Sequence, residues 1–211
     1  MKNLQKIAFF CAIIMFISMF LHFRSSMKVM QTIIVVRHAQ AYKNLSQPPL
    51  GIDKDSLTEL GKKQANSLGK ILCDRNIDLW ISSTKNRAIE TRDLVFLGNK
   101  YSGKKETIVD FLSMNKGNKD WPWRIQNWKR GEDPRPENGE SLLDATNRSI
   151  KKIQQYSSQK TIIIFSHGDI CATLIGHAMK TPIWKRYERH QLPLAGYAEI
   201  EILGSGEWRL K

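Results

Sequence analysis

Two short apolar runs in the chain each stop at a polar cluster that contains a histidine. The first run, residues 32–36, is followed directly by Arg37 and His38, and the second, residues 161–165, leads to His167. Continuous runs of β-branched residues of this length are typical of strands that are buried on both faces of a parallel sheet. We therefore predict two buried strands with polar side chains at their C-terminal ends.

The remaining pattern predicts helices between these strands. A capping box at residues 56–59 precedes apolar residues at helical spacing, which predicts a helix that continues to about residue 72. The other predicted elements are a strand at 78–81, a helix at 86–96, a strand-like run at 106–109, a helix that opens at 139–141, a helix at 170–179, and an edge hairpin made of 197–203 and 207–210. Strands linked by helices indicate an α/β fold with parallel neighbours.

Residues 98–140 are rich in glycine, proline and tryptophan, and apart from the strand-like run we predict irregular structure there. Trp121, Trp123 and Trp128 crowd this segment together with several lysines and arginines. Because long loops in compact domains are usually functional or mobile, one interpretation is a lid over a site. The other interpretation, which we favour for any single tryptophan, is that it anchors the segment to the body of the domain.

Composition places the chain among ordinary globular proteins, since 41% of its 211 residues are apolar and 25% are charged. The formal net charge of +13 suggests an anionic partner such as a phosphate ester, nucleic acid or a membrane, or else only a solvated basic surface. The lysines and arginines are scattered and no nucleic-acid-binding motif occurs, so we predict no nucleic-acid partner. Three widely spaced cysteines argue against a disulfide framework and against a zinc site.

The N-terminal segment is strongly apolar. Residues 7–23 reach the lower limit of a membrane span, and the exit from this run lacks the small residues of a cleavage site, so we favour a retained membrane anchor. Balanced flanking charges leave the side of the membrane open. Translation from Met27 or Met30 would instead give a soluble, cytoplasmic protein. We divide the chain into a membrane anchor or signal-like segment, 1–28, and one domain, 29–211.

Four side chains of the domain are expected to meet at one edge of the sheet. Arg37 and His38 follow one buried strand, His167 follows another, and Arg87 lies just after the predicted strand at 78–81. The C-terminal ends of parallel strands share one edge, where open α/β sheets build their sites. Two guanidiniums and two imidazoles can neutralise a phosphoryl group, and one imidazole can attack phosphorus and carry it covalently. The sequence therefore predicts phosphoryl chemistry.

Five motifs in a fixed order resemble those of the histidine phosphatase, or phosphoglycerate-mutase-like, superfamily. They are RHA at 37–39, where the family pattern is RHG, LTELGKKQA at 57–65, SSTKNRAIET at 82–91, GES at 139–141 and SHG at 166–168. The motifs span most of the chain from residue 32 to about residue 168, and the complete ordered set is highly specific, whereas an isolated Arg-His pair would mean little.

The resemblance implies a three-layer α/β/α sandwich with a mostly parallel central sheet. It also implies that His38 is the nucleophile, that a phosphohistidine forms, and that water then hydrolyses it without a metal ion or other cofactor. The other residues that it assigns are Arg37, Arg87, Asn44 and His167 around the phosphoryl group, and Glu140 and Ser141 as substrate-binding residues.

One departure from the family concerns the proton donor for the leaving alcohol. Many members carry a glutamate where this chain has Met114. The acid-phosphatase branch of the superfamily places an aspartate directly after the second histidine, but here Gly168 separates His167 from Asp169. The candidates for the general acid are Asp110, Asp120, Glu140 and Asp169. Loss of general acid catalysis costs about 10²–10⁴-fold, which would favour good leaving groups such as phosphohistidine or aryl phosphates.

We predict a phosphatase that hydrolyses phosphomonoesters, with a small phosphorylated molecule or a phosphoprotein as substrate. Three alternatives remain. A cofactor-dependent phosphoglycerate mutase is less favoured because only about 50 residues separate Thr91 from Glu140. A catalytically weak module that binds phosphorylated ligands would explain Met114. A basic membrane-surface module would use the anchor and the tryptophan-rich segment.

Overall fold

The computed structural model describes residues 15, 17, 27–100 and 103–211. Apart from Met15 and Ile17, the apolar run at 7–23 lies outside the described residues, so the membrane anchor stays a prediction. Within the described part of the chain, no helix has both the length and the apolar character needed to cross a membrane.

A six-stranded sheet forms the centre of the described domain, and six α-helices accompany it. The strands are β1 (Val29–Arg37), β2 (Leu79–Ser82), β3 (Lys104–Thr107), β4 (Thr161–Ser166), β5 (Tyr197–Leu203) and β6 (Trp208–Leu210). The helices are α1 (Glu59–Ile71), α2 (Asn86–Leu97), α3 (Trp121–Lys129), α4 (Leu142–Gln154), α5 (Gly168–Ala178) and α6 (Ile183–Arg189), with 3₁₀ turns at Tyr42–Asn44 and Val109–Phe111.

The strand order is β3-β2-β4-β1-β5-β6. The first four strands in this order run parallel to one another, whereas β5 pairs antiparallel with β1 and β6 pairs antiparallel with β5. The predicted mostly parallel α/β fold is confirmed, and the C-terminal hairpin lies at one edge of the sheet. Because β1, β4 and β2 are adjacent, the polar segments that follow them lie side by side.

Burial on both faces explains the continuous apolar run of β1. Ile33 and Val35 pack in a core with α4 and α5, while Ile34 and Val36 pack on the opposite face with α1 and α2. Since both faces of the strand are covered, every position from 33 to 36 is apolar rather than every second one. The sheet is thus held rigidly between two helical layers, and its strand ends have fixed positions.

The prediction of irregular structure across residues 98–140 is wrong for helix α3. Asp120 caps this helix by accepting a hydrogen bond from the Trp123 backbone N–H at 2.9 Å, and a proline occupies its first turn. Both signals for the start of a helix occur in the sequence. The prediction of a loop rested instead on the glycines and prolines around them. Trp128 is only 5% exposed and packs in the core, as an anchor would. Helix α6 was not predicted. Strand β3 overlaps the strand-like run at 106–109 but begins and ends two residues earlier.

Gly61 allows α1 to contact the loop that follows His38. A Cβ atom at this position would overlap the Gln40 carbonyl oxygen, which also accepts a hydrogen bond from the Thr58 backbone N–H at 3.0 Å.

We predict that Gly61→Ala lowers the free energy of unfolding by about 1–3 kcal/mol, because the backbone of the loop must move. Thermal melting measures this, and Ser67→Ala on the exposed face of α1 is the control. Equal melting temperatures for the two variants would contradict the prediction.

Candidate active site

The two predicted histidines meet at the C-terminal edge of the sheet. His38 follows β1 and His167 follows β4, and these strands are parallel neighbours in which Arg37 lies opposite Ser166. The two imidazole rings lie edge to face, with centroids 5.4 Å apart. His38 and His167 therefore lie close together, as expected for residues that follow two neighbouring parallel strands.

Hydrogen bonding fixes the tautomer of His38. Its Nδ1 lies 2.8 Å from the Ala39 carbonyl oxygen, and because a carbonyl can only accept, Nδ1 carries the hydrogen. The other ring nitrogen, Nε2, then holds a free lone pair. Burial, together with the nearby cations Arg87 and Arg37, lowers the pKa of His38 to about 4, although the bond to Ala39 acts in the opposite direction. At neutral pH His38 is an uncharged imidazole.

Both ring nitrogens of His167 form hydrogen bonds. Its Nδ1 lies 3.0 Å from Nη2 of Arg87, and its Nε2 lies 2.9 Å from the Ser83 hydroxyl. Since a guanidinium can only donate, Nδ1 accepts and Nε2 donates to Ser83. Burial first, and then the positive charge of Arg87, lowers the pKa of His167 to about 2. Both imidazoles at this site are therefore neutral.

The two arginines bring the positive charge. Arg87 lies in the first turn of α2, is 4% exposed, and is paired with the Asp55 carboxylate through Nη1. Arg37 donates from Nη1 to the Leu192 carbonyl oxygen at 2.7 Å. The Nε atoms of both arginines are buried and have no hydrogen-bond partner within the described residues. Both guanidinium groups are nevertheless held in place by contacts with the rest of the fold.

These side chains surround a cavity of about 150 Å³, which we call the histidine cavity. It is lined by Arg37, His38, Lys43, Arg87, Ser113, Trp121, His167, Gly168, Asp169, Tyr187 and Gln191. A larger cavity of about 550 Å³ lies between α1 and residues 193–197, but its lining contains neither histidine nor arginine. The groups that can bind and attack a phosphoryl group are therefore concentrated in the smaller cavity.

Lys43 lines the histidine cavity, whereas the predicted phosphate ligand Asn44 does not. The Asn44 side chain accepts a hydrogen bond from the Ala41 backbone N–H at 2.9 Å and so closes the 3₁₀ turn at Tyr42–Asn44. Partial burial, and then the charge of Arg87, lowers the pKa of Lys43. Sequence reasoning missed Lys43 because the turn decides which of two adjacent side chains points inward.

Glu140 and Ser141 also lie away from the histidine cavity. Glu140 forms an ion pair with Arg148 at 2.8 Å and accepts a hydrogen bond from the Asn115 backbone N–H. Ser141 caps α4, where its hydroxyl accepts from the Asp144 backbone N–H at 3.1 Å. In this structure both residues organise the start of α4 and do not contribute to the lining of the cavity.

Of the four candidate acids, only Asp169 lines the histidine cavity. Asp120 caps α3, and Glu140 is paired as described above. Asp110 lies beside α4, where its backbone carbonyl oxygen accepts from Ser149 at 3.2 Å. Asp169 is 3% exposed, and burial raises its pKa despite several hydrogen bonds to its carboxylate. Position in the fold therefore favours Asp169 over the other three candidates for the general acid.

Ser113 connects Asp169 to the histidine cavity. The Ser113 hydroxyl donates to Oδ2 of Asp169 at 2.7 Å, and the Met114 backbone N–H donates to the same oxygen at 2.6 Å. The Met114 side chain points into the core and is 3% exposed. Sequence reasoning missed Ser113, and its position next to Met114 was the available signal.

The fold is an α/β sheet with two histidines and two arginines at the C-terminal edge of its parallel strands. The family model of the histidine phosphatase superfamily (branch 1) matches residues 33–211, and the chain belongs to this family.

The relatives of the chain include both mutases and phosphatases. It is 30% identical over 162 residues to the 2,3-bisphosphoglycerate-dependent phosphoglycerate mutase of Chelativorans sp. (strain BNC1), which covers 68% of this chain and 79% of the mutase. It is 25% identical over 173 residues to the glucosyl-3-phosphoglycerate phosphatase of Mycolicibacterium vanbaalenii, covering 72% of this chain and 75% of that protein.

Solved structures share the fold at lower identity. Mycobacterial hydrolase 1 superposes with a TM-score of 0.71 at 20% identity, and the match covers 86% of this chain and 96% of that protein. The mycobacterial glucosyl-3-phosphoglycerate phosphatase in complex with VO3 superposes with a TM-score of 0.68 at 20% identity, covering 86% and 97%. At 20% identity, the likeness to these two structures shows that the fold is shared.

The lowered pKa of His38 makes the stability of the fold depend on pH. Between its ordinary pKa of about 6.5 and the folded value of about 4, the unfolded chain binds a proton that the folded chain does not. Stability from this residue is therefore complete above about pH 6.5 and is lost as the pH falls toward 4, by about 2 kcal/mol at pH 5.

We expect His38→Asn to lose less stability than the wild type between pH 7.5 and pH 5, because asparagine does not titrate. Denaturant unfolding at the two pH values measures the difference. The same loss in both proteins would show that His38 does not have a lowered pKa.

Proposed function

We propose that this protein is a phosphatase that hydrolyses phosphomonoesters through a phosphohistidine at His38. The observation that carries the proposal is the state of this imidazole: it is neutral, and Ala39 holds the hydrogen on Nδ1, which leaves Nε2 as a nucleophile. Two guanidiniums that line the same cavity can stabilise the charge on the equatorial oxygens.

The proposed reaction has two steps. In the first, Nε2 of His38 forms a bond to phosphorus while the bond from phosphorus to the ester oxygen breaks, and the departing alkoxide takes a proton. In the second, water attacks the phosphohistidine, phosphate leaves, and His38 returns to the neutral state. Arg37, Arg87 and Lys43 compensate the negative charge of the phosphoryl group throughout.

We propose Asp169, acting through Ser113, as the source of the first proton. Asp169 is the candidate acid that lines the histidine cavity, and its raised pKa favours the protonated carboxyl that a general acid requires. The Ser113 hydroxyl and Asp169 Oδ2 lie 2.7 Å apart, which is close enough for a proton to pass between them. The transfer requires the reverse of the hydrogen bond in this structure: protonated Asp169 donates to the Ser113 oxygen while the Ser113 hydrogen passes to the leaving oxygen.

A phosphoglycerate mutase remains the second candidate, because relatives at 25–30% identity include both activities. A mutase and a phosphatase share the phosphohistidine and differ in whether a phosphoglycerate or water accepts the phosphoryl group. Conversion between phosphoglycerates without release of phosphate would favour the mutase.

Turnover of p-nitrophenyl phosphate tests the proposed phosphatase. We expect hydrolysis by the wild type and an acid-labile phosphoryl label on the protein, and we expect His38→Ala to lose both, with activity reduced at least 10³-fold because the nucleophile is absent. His190→Ala is the matched control, since His190 binds Thr181 away from the histidine cavity. Labelling that persists in His38→Ala would exclude His38 as the nucleophile. No turnover by the wild type, with phosphate still bound, would instead favour the ligand-binding module.

Substrates with different leaving groups test the proposed proton donor. We expect Asp169→Asn and Ser113→Ala each to reduce kcat for an alkyl phosphate by about 10²-fold, with a much smaller effect on p-nitrophenyl phosphate, which needs little protonation. Asp120→Asn is the control, because Asp120 is exposed at the start of α3. Ser113→Ala removes only one hydroxyl, so it tests the route even where Asp169→Asn perturbs folding. Equal losses on both substrates would contradict the assignment.

A further inference from the structure

A second cavity lies between α3 and α6, and we call it the aromatic pocket. It has a volume of about 240 Å³ and is lined by Ile125, Trp128, Lys129, Trp184, Tyr187, Glu188 and Gln191. Four of these seven side chains are apolar or aromatic, so the pocket differs in character from the cation-lined histidine cavity. Neither the family motifs nor the phosphoryl chemistry described above uses it.

The aromatic pocket adjoins the histidine cavity. Tyr187 and Gln191 line both cavities, so these two side chains form a common boundary. The Tyr187 ring is stacked with Trp121 of the histidine cavity, with centroids 5.3 Å apart, and packs against Trp128 of the aromatic pocket at 5.0 Å. The two cavities are therefore adjacent, with Tyr187 and Gln191 between them.

The chemistry of the lining favours a planar apolar ligand. The Trp128 indole N–H already donates to Asp133 at 3.0 Å, so it offers no free polar hydrogen to the pocket. Trp184 and Tyr187 are partly exposed and supply the aromatic surface of the lining. The one cation of the lining, Lys129, is matched by one anion, Glu188. A site for a second phosphate or a carboxylate would instead present an excess of cations, as the histidine cavity does.

We propose that the aromatic pocket binds the leaving group of the substrate, and that the preferred substrates are phosphomonoesters of aromatic alcohols. The proposal rests on the phosphatase function above and specifies its substrate class. The phosphoryl group occupies the histidine cavity, the ester oxygen lies near Tyr187 and Gln191, and the ring enters the space between α3 and α6. Reaction at phosphorus then proceeds as already described.

Phosphonates test this pocket without any influence from leaving-group reactivity, because their carbon–phosphorus bond is not hydrolysed. We expect 2-naphthylphosphonate to bind at least tenfold more tightly than methylphosphonate to the wild-type protein, as measured by calorimetry. Trp184→Ala, which removes one wall, and Ile125→Trp, which fills the pocket, should each abolish this preference while binding of methylphosphonate stays within twofold. Trp123→Ala is the matched control, since Trp123 is on α3 but outside the lining of the pocket.

The outcomes separate this proposal from the phosphatase function. Equal affinity for the two phosphonates, or a naphthyl preference that survives both pocket variants, would overturn the aromatic pocket even if p-nitrophenyl phosphate is hydrolysed. A naphthyl preference lost in both variants would support the pocket even if no ester were turned over. Lys129→Met should leave the preference unchanged, and a loss there would point to recognition of an anion.

Discussion

The hydrogen bond between Arg87 and His167 is the contact on which the histidine cavity depends. It joins the first turn of α2 to the segment after β4, and it requires a neutral imidazole, since a protonated ring has no lone pair for the guanidinium. Burial and the charge of Arg87 keep His167 neutral. The result is a cavity in which the imidazoles are uncharged and the arginines and Lys43 are cationic, which suits a dianionic phosphoryl group.

The sequence was most informative where local pattern and topology agree. The apolar runs at 32–36 and 161–165 predicted β1 and β4, and their parallel pairing explains why His38 and His167 meet. Arg87 follows from the same rule, because β2 is the other neighbour of β4. These positions depend on strand order, and buried strands linked by helices leave few alternative arrangements.

The sequence was least informative about the direction of individual side chains and about short helices. Lys43 and Asn44 are adjacent, and only the 3₁₀ turn determines that Lys43 enters the cavity. Helix α6 has seven residues and no side-chain cap, so it carries little sequence signal, and α3 lies among residues that favour loops. Glu140 and Ser141 belong to a family motif, yet here their contacts stabilise the start of α4. A motif match identifies where a residue lies in the fold. The function of its side chain must be inferred from the contacts that the side chain makes.

Two independent features of this chain point toward the same type of leaving group. Met114 is buried in the core at the position where the family resemblance predicts a glutamate, and we propose that the proton comes indirectly from Asp169 through Ser113. An indirect donor matters least for phosphates of acidic alcohols, and aromatic alcohols are more acidic than aliphatic ones. The pocket beside Tyr187 has three aromatic residues in its lining. An aryl leaving group would therefore both fit the pocket and need little protonation, so binding and chemistry would favour the same substrates.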